Sequence, residues 1–322
     1  MAARLGKTLA GAGVMLLAGC GGEEGSLPLA SSEPLAWGTD GYATAAAFLS
    51  CLEGEAALVS AHRGGPADGF PENALSTIDR TLSLVPALIE VDVRETSDGA
   101  LVLLHDATVD RTTDGRGSLS DMTLEEARNL SLIDRSGRRT DQRIPTLEEA
   151  VEMVRGRGIL QLDVKRGVSL AKVARAVEEA SAGSFTGIIT YNARGAYAVG
   201  RASGAVSVFA TAQDEDELRA LSGDGILDGR LVVWTGIHRG LPDERYIRRL
   251  DEADIAASGG ALGYLDDRAA SGDRSAYSRL EGAGIDIIAT DRPIEAAREL
   301  GTEEARAAIL SCGAQPPGEA PA

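Results

Sequence analysis

The chain has 322 residues, 43% of them hydrophobic, which is enough for one large domain or two ordinary ones around a sizeable core. Acidic residues outnumber basic ones by 49 to 32, a formal net charge of −17, and this argues against nucleic acid as the partner, because phosphate backbones are bound by basic surfaces. Glycine is plentiful and aromatic residues make up only 4%, a mix that suits short buried strands alternating with alanine-rich helices.

Residues 1–19 read as a signal. Arg4 and Lys7 give a positive start, and the apolar stretch 9–17 is too short to span a bilayer by itself. It runs into Leu17-Ala18-Gly19-Cys20, small residues before a cysteine, which looks like a bacterial lipobox with Cys20 as the lipidated first residue of the mature chain. An ordinary secretory signal that happens to be cut near a cysteine is the other reading. Removing residues 1–19 takes away two basic residues and no acidic ones, so the mature charge is −19. Residues 20–52 read as a polar, glycine-rich tether and a short helical lead-in, a leash that holds a soluble domain off a membrane surface outside the cytoplasm.

From 53 to 301 short apolar runs alternate with helical patterns. Strands are predicted at 58–62, 88–93, 159–165, 187–191, 206–210, 231–234, 254–258 and 286–290, with helices such as 73–84, 146–155, 170–181, 214–221 and 243–253 between them. Strand and helix alternating in this way is the signature of an α/β chain folded as a (β/α)8 TIM barrel. A doubly wound open sheet competes, but no Gly-x-Gly-x-x-Gly follows the first strand. Extra material lies between the second strand and residue 144: a tight turn at Asp98-Gly99, a short returning strand at 101–105, a polar loop, and a small helix around 124–130. An insertion after a barrel strand lies over the active-site face and can cap the pocket. Residues 302–322 read as a C-terminal tail, disordered from 313 onward where Pro, Gly and Ala dominate. Cys51 precedes the first strand and Cys312 follows the last helix, so they form either a clasp between chain ends or two unrelated thiols.

Residues two apart on a strand share a face. In Leu88-Ile89-Glu90-Val91-Asp92-Val93 the two acids share one face, and in the third strand Gln161, Asp163 and Lys165 do the same. With the apolar faces turned to the helices, Glu90, Asp92, Asp163 and Lys165 converge inside the barrel. Carboxylates gathered there repel one another and are costly to bury, and a hard divalent cation, Mg2+ or Ca2+, resolves this. A polar barrel layer neutralised by Lys165 or Arg94 is the alternative. His62 ends the first strand and His105 ends the short returning strand, so two of only three histidines fall on the rim beside the acids as a candidate acid and base pair. A phosphodiester suits this equipment, with Arg63 and Lys165 on its free oxygens and Gly64-Gly65 leaving room for close approach. His238 falls on a loop after the sixth strand and reads as solvated. Asp291, ahead of Arg292-Pro293, reads as a helix cap.

These segments resemble the glycerophosphodiester phosphodiesterase family. The resemblance runs through Ala61-His62-Arg63-Gly64-Gly65, Pro71-Glu72-Asn73, the Glu90-x-Asp92 strand, His105-Asp106, the stretch from Asp110 to Gly117, residues 144–150, the Asp163 strand and Thr290-Asp291-Arg292-Pro293. It implies a TIM barrel with a small insertion after the second strand, a divalent metal at Glu90, Asp92 and Asp163, and His62 and His105 as acid and base. It also implies a small-molecule glycerophosphodiester substrate split into glycerol 3-phosphate and an alcohol. The chain departs from the family pattern in carrying Asp163 where glutamate is usual, Ala74 where threonine is usual, and Trp234 on the sixth strand instead of a tryptophan on the seventh. Two rivals stand beside this reading: a phospholipase D-like enzyme on lysolipids or sphingolipids, which requires an apolar groove beside the site, and a non-catalytic binding lipoprotein.

Overall fold

The computed structural model describes residues 37–313 apart from 40 and 224, so the signal, Cys20, most of the tether and the tail from 314 lie outside the described residues. Among the described residues eleven strands occur in chain order: β1 (Leu58–Ala61), β2 (Ala87–Glu95), β3 (Leu101–Leu103), β4 (Ser131–Ile133), β5 (Arg139–Arg143), β6 (Ile159–Val164), β7 (Thr186–Thr190), β8 (Ser207–Thr211), β9 (Leu231–Ile237), β10 (Ala257–Gly260) and β11 (Ile287–Thr290). The order β1-β11-β10-β9-β8-β7-β6-β2, with β1 also paired to β2, closes eight parallel strands into a barrel. The helices are α1 (Ala45–Leu52), α2 (Leu75–Leu84), α3 (Leu124–Arg128), α4 (Leu147–Val154), α5 (Leu170–Glu179), α6 (Ala193–Ala202), α7 (Glu215–Leu221), α8 (Glu244–Asp251), α9 (Tyr264–Ala270), α10 (Ser278–Glu281), α11 (Pro293–Leu300) and α12 (Thr302–Ser311). The predicted TIM barrel is the observed fold.

Two layers of apolar packing make it. Outward side chains such as Ile89, Val91, Leu160, Leu162, Ile188 and Val208 meet the helices in the larger core. The strand starts point Leu58, Leu88, Ile159, Val232 and Ile287 inward, where they pack on Trp37, Phe48, Leu49, Ala308 and Ile309. Helices α1 and α12 therefore plug the N-terminal mouth of the barrel, and a Cys51–Cys312 disulfide with a Cα–Cα distance of 6.0 Å ties them together. The clasp is formed, and 302–312 belongs to this plug rather than to a tail. Thr44, Thr123, Thr146 and Ser169 cap α1, α3, α4 and α5 through their hydroxyls, which explains why those helices begin where they do.

The insertion after β2 is present. β3 returns antiparallel on β2, with Val93 opposite Leu103, and α3 follows. It also contains a β4–β5 ribbon absent from the sequence reading, because Arg139–Arg143 is polar throughout and largely exposed. The seventh barrel strand lies later than predicted, at Ala257–Gly260. A Cβ at Gly260 would come 2.8 Å from the Trp234 ring, so glycines that read as loop are where that ring needs room inside a strand.

Candidate active site

Strands β2 and β6 carry the acids. Registering Asp92 beside Asp163 and Glu90 beside Gln161 brings Glu90, Asp92 and Asp163 together, with one carboxylate oxygen of each within 4.8 Å of the others and all three buried. Burial first, then Asp92, pushes Glu90 up to about 8. Lys165 Nζ lies 2.6 Å from Asp92 Oδ1 and 2.5 Å from Asp163 Oδ2. Burial pulls the lysine pKa down, but the two carboxylates outweigh it and hold it above its ordinary value. Asn73 secures Asp92, its amide donating to Oδ2 at 2.7 Å while its carbonyl accepts from the Asp92 N–H at 2.9 Å. The Tyr191 hydroxyl donates to Asp163 Oδ1 at 2.8 Å. This all-oxygen set fits a hard divalent cation: three acids converge, and one lysine does not neutralise them all.

After β1 the chain enters a short 3-10 turn, His62–Gly64, in which Arg63 is left-handed at φ +53°. The strained turn sends the Arg63 N–H to Glu90 Oε2 at 2.7 Å. A Cβ at Gly64 would lie 3.3 Å from Ile78, and one at Gly65 would lie 2.7 Å from Pro293 and 2.9 Å from Thr81, so packing on α2 and α11, with a φ of +84° at both, already calls for glycine here.

Each histidine sits on an aspartate. His62 Nδ1 is 2.6 Å from Asp291 Oδ1, and His105 Nδ1 is 2.7 Å from Asp106 Oδ1. Burial lowers the His62 pKa, but the Asp291 hydrogen bond and the negative charges of Glu90 and Asp291 leave it raised. Asp291 is thus a partner of His62; α11 takes Arg292 as its N-cap residue, without a side-chain cap. Arg94 fixes His105 by donating from Nε and Nη2 to its carbonyl at 2.9 and 2.7 Å. Arg111 donates to both oxygens of Asp106 and to both of Glu72, and Arg63 Nη1 also reaches Glu72, at 3.1 Å from Oε2. Arg63 Nε is 3.7 Å from Asp92 Oδ2. A continuous chain of charges, His105–Asp106–Arg111–Glu72–Arg63–Asp92, therefore joins one histidine to the acid cluster.

A cavity of about 260 Å³ opens on His62, Glu90 and Asp163. Its opposite wall is Ile189, Phe209, Trp234, Ile237 and Leu262. The interior is thus divided, with polar Ser60, Glu90, Gln161 and Asp163 on β1, β2 and β6 and apolar side chains on β7, β8 and β9. Gly187 admits the Phe209 ring, which an added Cβ would approach to 2.2 Å. At the mouth Ile237 is 58% and Tyr191 64% exposed, so the apolar wall continues to solvent.

Of the residues singled out in the sequence, Glu90, Asp92, Asp163 and Lys165 come together and His62 lines a cavity with Glu90 and Asp163, whereas His105 is not among the lining residues of that cavity and is linked to Asp92 only through the charge chain. Arg63 joins them with its guanidinium on Glu72. Cys20 lies outside the described residues. His238 is half-buried, not solvated: its Nε2 is 2.9 Å from Thr235 Oγ1, a Cβ at Gly259 would strike its ring, and burial lowers its pKa. Glu72, Asn73, Arg111 and Tyr191 drew no role from the sequence, and Asp291 drew that of a helix cap in place of a partner for His62. Four of them lie in the segments that carry the family resemblance, which was the available signal; Tyr191 follows a strand with nothing to mark it.

The model of the "Glycerophosphoryl diester phosphodiesterase family" matches residues 62–215. A glycerophosphodiester phosphodiesterase of Caldanaerobacter subterraneus is 40% identical over 129 residues, 38% of this chain and 53% of its own length. The mouse glycerophosphodiester phosphodiesterase 1 is 45% identical over 118 residues, 35% of each chain. The chain therefore spans between about a third and half the length of these relatives. A crystal structure of a glycerophosphoryl diester phosphodiesterase from Parabacteroides distasonis aligns over 85% of this chain and 97% of its own, with 29% identity and a TM-score of 0.75.

Proposed function

Because residues 62–215 match the glycerophosphoryl diester phosphodiesterase family, we propose that the chain is a member and hydrolyses glycerophosphodiesters to glycerol 3-phosphate and an alcohol, with a divalent metal, Mg2+ or Ca2+, at Glu90, Asp92 and Asp163. The observation that carries this reading is the meeting of three buried acids from two neighbouring strands beside a histidine seated on an aspartate. When bound, the cation polarises a phosphoryl oxygen and offsets its charge. Arg63 and Lys165 hold the remaining oxygens. Asp291 and Asp106 occupy the Nδ1 sides of His62 and His105, so the Nε2 sides handle the reacting protons. One histidine accepts a proton from the attacking water as the water oxygen forms the new P–O bond. The other protonates the alkoxide as the old P–O bond breaks. We further propose that Cys20 carries a lipid that holds the enzyme on a membrane outside the cytoplasm, which rests on the lipobox-like Leu17-Ala18-Gly19-Cys20.

The test is release of glycerol 3-phosphate from glycerophosphocholine by the purified chain from residue 27, with Mg2+, with Ca2+ and with chelator. Metal-dependent release that disappears in His62→Ala and His105→Ala is expected; full activity in chelator, or in either variant, refutes the assignment. The apolar wall ending in exposed Ile237 favours a second reading, in which the alcohol carries hydrocarbon and lysolipids or sphingolipids are the substrates. Turnover of a long-chain lysolipid in preference to glycerophosphocholine would select it. The seating of both histidines on carboxylates speaks against a merely binding lipoprotein.

A further inference from the structure

Asp291 is more than half exposed, yet it must hold a single geometry to orient His62. The pairing of Ala61 with Thr290 sets the two residues side by side at the ends of β1 and β11. What fixes Asp291 there comes from behind. Asp266, in the first turn of α9, is only 4% exposed, with its carboxylate under the 290–292 turn. Asp266 Oδ2 accepts from the Asp291 N–H at 2.8 Å, and Oδ1 accepts from the Thr290 hydroxyl at 2.6 Å and the Tyr277 hydroxyl at 2.9 Å. Thr290 Oγ1 in turn accepts from the Arg292 N–H at 2.9 Å. Three consecutive residues are thus organised around one carboxylate, and its hydrogen bonds come from two hydroxyls and a backbone amide rather than a cation. Burying an acid in this way is costly, and that cost is met by hydrogen bonds whose common product is the direction of Asp291.

We propose that Asp266 is a positioning residue for the reaction, its buried carboxylate aiming Asp291 at His62. The inference rests on His62 being a proton carrier. Asp266→Asn keeps the shape but puts an amide donor where the carboxylate accepted on both sides. It is expected to lower kcat on glycerophosphocholine by about ten- to a hundredfold, as a small misplacement of a catalytic group does, with KM changed by less than about twofold. Asp266→Asn added to Asp291→Ala should cost nothing further, because the residue through which it acts is gone. An unchanged kcat in Asp266→Asn, or a double variant whose loss is the product of the two single losses, overturns the proposal. His62→Ala run in parallel separates the two failures: if it stays active, the role of His62 is wrong, whereas an inactive His62→Ala beside a fully active Asp266→Asn sinks only the positioning role. Should Asp266→Asn fail to fold by its melting curve, Tyr277→Phe removes one donor to Oδ1 and must show the same selective and non-additive loss of kcat at smaller amplitude; if it does not, the proposal fails.

Discussion

Replacing Lys165 with methionine takes the ammonium from between Asp92 and Asp163 and leaves a side chain of similar length. Asp92 is 1% and Asp163 11% exposed at the side chain, and Lys165 only 16%, so the lost partner leaves buried carboxylates uncompensated. Removing one partner of a buried ion pair costs ~3–5 kcal/mol, and the residual exposure of the lysine puts this case near ~3 kcal/mol. For a domain of this size that corresponds to a fall in Tm of about 6 °C in chelator. A divalent cation compensates the same carboxylates, so Mg2+ or Ca2+ should raise the Tm of Lys165→Met by more than it raises that of the parent and close most of the gap. Thermal melts of both proteins with chelator and across a metal titration provide the assay. A variant that melts within about 1 °C of the parent in chelator, or identical metal-induced shifts in the two, would refute the idea that lysine and cation serve the same carboxylates.

The base of the barrel carries a pH dependence of its own. Burial, then neighbouring Asp251, pushes Asp286 up from 3.8 to about 6, and burial with nearby acids pushes Glu53 up to about 7. Both groups hold a proton more tightly folded than unfolded, so their contribution is fully present below the unfolded values and is lost as pH rises through 6 to 7. Asp286→Asn should reduce the fall in unfolding free energy from urea melts between pH 4 and 8 by about 1–3 kcal/mol, and an unaltered pH slope would count against it. The Cys51–Cys312 bond spans 261 residues, for which chain entropy gives up to ~5 kcal/mol; Cys51→Ser/Cys312→Ser should lower the urea midpoint, and an unchanged midpoint would show the staple to be idle. Ile237→Asp should cut kcat/KM on long-chain lysolipids about tenfold while leaving glycerophosphocholine nearly untouched, and equal losses on both would remove the apolar wall from substrate selection.

Much of the barrel was legible because buried parallel strands announce themselves as short apolar runs, and the alternation within them already placed Glu90, Asp92 and Asp163 on one face. The edges were not. β10 is half glycine, and its strand character comes from neighbours, since the rings of Trp234 and His238 occupy the space that side chains there would need. The β4–β5 ribbon has no apolar period to read. The least legible part of the site was its long-range polar pairing: Glu72 and Arg111, 39 residues apart, meet because β2 lies beside β1, and His62 and Asp291, 229 apart, meet because β11 closes the barrel onto β1. Asp291 precedes a proline-led helix and so looks like a cap, but the strand register hands it to His62.

The staple at the barrel base also decides how the molecule carries load. Tyr42 Oη bonds to the Cys312 carbonyl at 2.7 Å, and α1 and α12 share one cluster, so the described chain enters and leaves at the same place. Tension applied between the two ends peels the residues ahead of Cys51 and then meets the disulfide. The covalent bond carries the pull, and everything from β1 to β11 is spared it. A tug on the chain ends would lengthen the molecule by only a few short segments while the acid-lined mouth, at the far end of the strands, stays assembled until the sulfur–sulfur bond is reduced.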